Sequence, residues 1–351
     1  MLLVSLVSLA SATSVTEIPP FLRGDVTLGY GYEQLSGSLV ERGEEDTEIG
    51  QRTISSHKMQ YGLVFGVAPG AAVFLEIPHY VQSSVGYSAL SEMVYDPTTG
   101  SGTYEGTEAG TPGAYVSGAG VNGVWIGARG TPFSETFPNR KNRATWLIEA
   151  ALRTPSESNF WTMKDGEHRG AGPGGLAVRL HTAFSTTFRT SHPYIAATYI
   201  GEGKTTVDVY DDLPQVVATG VEVDPANSGR VRTGLEVLAS RNESNGAQLS
   251  FDLHLDLAYD SYQTVPSGFY LPNVLAGSEG EPIQQSEQLE TGAGLAIRWR
   301  PMDYMQVDLY GDVAWHLPQR IESPFAVYTG EDTLRLGVGS QVTIRVRPRE
   351  N

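Results

Sequence analysis

The chain has 351 residues, with 24 Lys and Arg against 40 Asp and Glu, and a net charge of −16 at neutral pH. That acidity argues against a nucleic-acid partner. The lack of cysteine excludes disulfides, thiolate metal sites, a thiol nucleophile and a lipid-modified cysteine.

Residues 1–12, MLLVSLVSLASA, have the apolar run Leu2–Leu9 and the small-residue site Ala10-Ser11-Ala12 of a secretory signal, although the usual positive n-region is missing. Residues 13–22 then form a short lead. No other stretch approaches the ~20 apolar residues of a membrane-spanning helix.

From residue 23 onward, apolar and polar residues alternate. Met59, Tyr61, Leu63, Phe65 and Val67 oppose Lys58 and Gln60. Trp146, Ile148, Ala150 and Leu152 oppose Glu149 and Arg153; Leu176, Val178, Leu180 and Phe184 oppose Arg179 and His181. The clearest case is Leu249–Asp260, LSFDLHLDLAYD, in which one face is hydrocarbon and the other carries Asp252, His254 and Asp256. A helix would scatter those leucines round its circumference, whereas a strand puts them all on one face. Leu289, Leu295, Ile297 and Trp299 oppose Glu290, Arg298 and Arg300. Leu309, Val313 and Trp315 oppose Asp308 and Asp312; Leu334, Leu336, Val338 and Ile344 oppose Arg335, Arg345 and Arg347.

Twelve such segments are predicted, near 23–33, 55–67, 71–83, 115–130, 143–154, 174–188, 193–202, 230–240, 247–262, 288–300, 304–316 and 332–347. Several match the ~9–11 residues of a tilted membrane strand. Their connections alternate in length. Those at 34–54, 84–114, 155–173, 203–229, 263–287 and 317–331 are long, and those between are shorter, such as Ala68-Pro69-Gly70 and Pro301-Met302-Asp303. Short periplasmic turns alternating with long extracellular loops mark a membrane-spanning, antiparallel up-and-down β-barrel. Composition agrees: 18% of residues are charged against the usual ~25%, 40 are glycine, and tyrosine outnumbers phenylalanine. A secreted β-sandwich fits composition alone but gives no reason for the alternating loops. The barrel is expected over 23–347, with 348–351 as a periplasmic tail. Trp146, Trp299 and Tyr304 fall beside short connections, and Tyr259 and Trp315 at long-loop ends, as interface aromatics do.

The hairpin Tyr61-Gly62-Leu63, Gly66 and Val73-Phe74-Leu75-Glu76-Ile77-Pro78-His79-Tyr80-Val81 resembles the opening hairpin of a bacterial outer-membrane barrel family. That family is associated with phenol degradation (the MetA pathway), and its members carry a YGL…LELGLxLPYV-like stretch. Gly120–Gly127, the strand end Leu152-Arg153-Thr154-Pro155 and the turn Arg298-Trp299-Arg300-Pro301 are similar to further segments of the same family. The resemblance implies an outer-membrane pore or transporter in a Gram-negative bacterium. The chain departs from many barrels in ending Val346-Arg347-Pro348-Arg349-Glu350-Asn351, without the C-terminal aromatic presented to the barrel-assembly machinery.

By parity the lumen is lined by Lys58, Glu76, Glu149, Arg153, Arg179, His181, Arg232, Glu236, Asp252, His254, Asp256, Glu290, Arg298, Arg300, Asp308, Asp312, Arg335, Arg345 and Arg347. Opposite charges enclosed there should pair, because an isolated enclosed charge is costly. This mixed wall is expected to have no single-sign field.

Asp252-x-His254-x-Asp256 is the sharpest catalytic candidate and resembles the Asp-x-His pair of omptin barrel proteases, but its register is mid-wall and no second acidic pair is evident. A metal on these residues would need a third ligand from another strand, such as Asp308 or Asp312. No lipid-facing Ser–His set suits a lipid-cleaving barrel, so the expectation is no enzyme, no cofactor and no metal.

The function expected is passage of a small solute. The alternative is a barrel anchoring an envelope or surface assembly for motility or secretion, with a protein partner on its acidic loops. An omptin-like surface protease is a minor third. A fold-back of 203–229 into the lumen would favour a plugged scaffold over an open channel.

Overall fold

A computed structural model describes residues 18–43, 46–88, 91–96, 101–106, 115–134, 144–156, 159, 163–164, 168–170, 172, 174–210, 216–242, 244–266, 281–324 and 326–346. The signal segment 1–12, Arg347 and the tail 348–351 lie outside the described residues.

Twelve antiparallel strands close on themselves. β1 is Gly24–Glu41, β2 Thr47–Ala68 and β3 Ala71–Ser88. β4 has two segments, Tyr115–Val121 and Trp125–Phe133. β5 is Ala144–Arg153, β6 Ala177–Thr186, β7 Ser191–Glu202 and β8 Ser228–Arg241. β9 is Gln248–Asp260, β10 Gln288–Met302, β11 Met305–His316 and β12 Val327–Val346. Each strand pairs with the next, and β12 returns to β1 with Val26 opposite Ile344. Closure leaves no exposed ladder edge.

The strands tilt. Paired residues followed from Gly24 run through Phe65, Val73, Ala128, Ala150, Leu180, Tyr199, Gly229 and Tyr259 to Leu289. The adjoining pairs Glu290–His316–Thr333 then lead back to β1 beside Ser36, far above the start. That stagger is what a closed barrel of tilted strands requires.

The outward face is a band of exposed hydrocarbon. On β9, Leu253, Leu255 and Leu257 are 58%, 61% and 50% exposed, while Asp252, His254 and Asp256 between them are buried. The five interface aromatics Trp146, Tyr259, Trp299, Tyr304 and Trp315 are all exposed on this outer surface.

The connection expected over 34–54 is corrected by the structure. Most of it is ladder, with Leu35 opposite Ile54 and Ser38 opposite Gln51. Here the outward positions turn polar (Gln34, Ser36, Ser55), so the alternation that marks a strand fades although the backbone stays paired. β3 likewise runs on to Ser88 and β12 begins at Val327.

The break in β4 has a local cause. Pro78 on β3 accepts from Asn122 N–H at 3.1 Å but has no N–H to return. Asn122–Val124 leave the ladder there, with Gly123 at φ 66°. Thr154 at the end of β5 takes over: its N–H donates to Val124 O at 2.9 Å and its hydroxyl accepts from Val124 N–H at 3.0 Å.

Candidate functional site: the barrel lumen

Two ion-pair lattices cover opposite arcs of the inner wall. On β3–β7, Arg179 joins Glu76 at 2.8 Å and Glu149 at 2.9 Å, and Arg129 lies 3.7 Å from Glu149. Arg153 holds Glu202 at 2.5 Å and donates to Gly175 O at 3.1 Å. The cations also stack on aromatic faces. Arg153 and Arg179 lie 5.5 and 4.9 Å from Trp125, and Arg179 and Arg129 lie 5.4 and 4.8 Å from Phe74. Such stacking keeps desolvated guanidinium groups favourable in an enclosed wall.

On β8–β1, Glu290 is the hub, with Arg335 at 2.8 Å, Arg230 at 3.2 Å and His316 at 3.1 Å. Arg335 also reaches Asp312 at 2.8 Å and Glu33 at 3.1 Å. Lower in the wall, Arg298 bridges Glu236 at 3.0 Å and Asp308 at 2.9 Å, while Arg300 donates to Gln306 at 3.0 Å.

The Asp-His-Asp group on β9 is divided among separate partners. Asp256 receives Arg232 through two bonds of 2.7 and 2.8 Å, and Asp252 accepts from the Tyr194 hydroxyl at 3.1 Å. His254 Nε2 lies 3.8 Å from Asp256, beyond hydrogen-bond reach. His181 shares its Nδ1 with the Thr198 hydroxyl at 2.8 Å. Arg345 lies half-buried near the foot of β12.

Sequence parity passed over several members of these lattices. Arg230 and Arg129 fall inside predicted strands on the inward parity. Glu33 is the end residue of one such strand, and Glu202 of another. Trp125, Phe74 and Tyr194 look like ordinary strand aromatics in sequence, and only their arginine and aspartate neighbours mark them.

A small recess lies between the two lattices, bordered by Glu33 of the second. Gly29, Gly31, Ser56, Lys58, Gln60, Tyr310 and Gly337 are among its lining residues. The Lys58 ammonium sits 5.1 Å from the centre of the Tyr80 ring. Tyr310 lies flat on the glycine wall, where a Cβ on Gly339 would fall 1.9 Å from its hydroxyl.

Both mouths are covered. At the long-loop end, Thr205–Tyr210 pairs with Val216–Val223 as a hairpin between β7 and β8. Its Val207, Val209 and Val223 are buried in one cluster with inward residues Leu35, Leu39, Ile54, Val85 and Tyr328. Val265, Ile283 and Ile321, from the paired stretches that follow β9 and flank β10 and β11, complete the cluster, and the hairpin joins them where Asp224 pairs with Thr264, so apolar side chains from round the wall fill this mouth. At the short-turn end, Ile18 packs on Leu147, Ala183 and Ala196 of β5, β6 and β7. The chain must cross from there to reach β1. Leu22 N–H donates to Gly66 O at 2.9 Å, Gly66 N–H donates to Arg23 O at 2.9 Å, and Pro19 is buried.

No protein-family model matches the sequence, and no curated protein matches it. Among solved structures, an outer membrane channel from Pseudomonas putida F1 is similar with a TM-score of 0.53 at 10% identity. The match covers 96% of this chain and 100% of that one. A FadL homologue from Pseudomonas aeruginosa is matched at a TM-score of 0.41 and 10% identity, over 92% of this chain and 90% of that one. The first likeness establishes the fold as that of an outer-membrane β-barrel.

Proposed function

We propose that this chain is an outer-membrane channel for a small solute, closed at both mouths in its resting state. The short turns face the periplasm and the long loops face outward. The observation that carries this reading is the recess between the lattices. The two lattices are knitted by charge pairs, but here glycines leave the backbone bare beside Ser56, Lys58 and Gln60. The resemblance of the Tyr61–Val81 hairpin to the phenol-degradation-associated family supports the same reading.

A plugged scaffold anchoring an envelope assembly is the second reading, favoured by the apolar cluster that fills the long-loop mouth. Planar-bilayer recording separates the two. The intact protein should show rare, brief openings. Replacing 205–223 by a short Gly-Ser turn should give steady conductance. A variant that inserts normally yet stays silent would exclude the channel, and partners captured by crosslinking in membranes would then support the scaffold.

A further inference from the structure

Arg52 differs from every arginine of the two lattices. It points inward from β2 in the upper wall, is 4% exposed, and its Nη1 has no hydrogen-bond partner. Among the described residues no carboxylate pairs with it. Its cross-strand partners are Gly37 on β1 and Tyr87 on β3. Leu35 and Leu39 flank Gly37, and Ile54 follows on the same face of β2, so the neighbours are members of the apolar cluster beneath the hairpin. Across β1, Nη2 lies 3.5 Å from where a Cβ on Gly330 would stand, so the missing side chain leaves the guanidinium room. A buried guanidinium with no carboxylate beside it is costly unless an anion joins it.

We propose that Arg52 is the anion-binding group of a subsite at the long-loop mouth, and that the solute is an amphipathic monoanion. A carboxylate would take the planar fork of the guanidinium, which suits two-point binding. A compact apolar body would rest on Leu39, Ile54 and Tyr87, in place of the hairpin valines. Solute binding and displacement of the hairpin are then one event. From Arg52 the same face of β2 descends through Ser56 to Lys58 and Gln60 at the recess, so the strand offers donors along the way in. This inference rests on the channel reading and names its solute class.

The test uses benzoate and its neutral isostere benzamide, added to the long-loop side of the full-length protein in planar bilayers. Benzoate should raise the frequency of openings at least about tenfold more than benzamide does. Arg52→Gln should abolish that difference and Arg52→Lys should keep only part of it, with barrel formation checked by heat-modifiable gel migration. Equal benzoate responses in wild type and Arg52→Gln would overturn the proposal. If the protein never conducts, the channel reading falls on its own. The Arg52 site is then judged by thermal unfolding: benzoate raising the wild-type midpoint but not that of Arg52→Gln supports it, and equal shifts reject it.

Discussion

Single residues in this lumen are held by their partners more than by the wall. Glu290 is 1% exposed and faces Arg230, Arg335 and His316 together. Removing its charge takes from Arg230 the carboxylate it pairs with and leaves Arg335 only Asp312 and Glu33, so Glu290→Gln should lower stability by about 3 kcal/mol. Denaturant unfolding in lipid vesicles measures this. Arg52 sits at the other extreme. Replacing an enclosed charge that lacks a partner by leucine should leave the midpoint unchanged or raised in the absence of ligand. Gly339 gives a steric counterpart. A Cβ there would fall 1.9 Å from the Tyr310 hydroxyl and 2.2 Å from its Cζ. Gly339→Ala should therefore destabilise, and adding Tyr310→Ala should restore much of the loss in a double-mutant cycle.

At the scale of elements, β9 shows how one strand serves two solvents. Leu255 lies in the middle of the outward band and Tyr259 near its upper rim. Leu255→Arg should cost about 2–4 kcal/mol and Tyr259→Arg about 0–1, because the penalty for a lipid-facing cation falls with distance from the bilayer midplane. Equal costs would argue against the assigned depth. The N-terminal lead is the second telling element. Gly66 exists because the lead runs over it: a Cβ would stand 2.3 Å from Pro20 O and 2.5 Å from Pro19 O. Gly66→Ala should lift the lead from the short-turn mouth. Faster proteolysis within 18–23 in proteoliposomes open to that side would show it, together with more frequent openings in bilayers.

The whole molecule is a hydrocarbon-coated cylinder around a cross-linked polar interior. Its lattices are enclosed, and enclosed pairs are screened far less than surface pairs. Raising salt from about 0.1 M to about 1 M should therefore shift the unfolding midpoint little. The same closure explains why pairing leaves no broad single-sign field. Glu76, Glu149, Glu202, Glu236, Asp256, Glu290, Asp308 and Asp312 each face an arginine. Arg52 is the local exception, and it lies above both lattices.

Sequence alone determined the barrel, its twelve strands and the inward parity of residues such as Glu149, Arg179, Asp252 and Arg335. A period of two is a property of the backbone, and hydrocarbon on one face declares which side meets lipid. It could not show that 34–41 and 47–54 are ladder, because strands outside the apolar band lose their alternation. That error hid Arg52, which sits in a stretch that resembles a loop. It also could not assign partners. Arg179 finds Glu76 three strands away, and the hairpin after β7 shares one buried cluster with Leu39 of β1, so these arrangements depend on tilt and closure. Tertiary structure alone decided that His254 is separated from a usable base, that both mouths are covered, and that Arg52 is buried with no carboxylate beside it among the described residues.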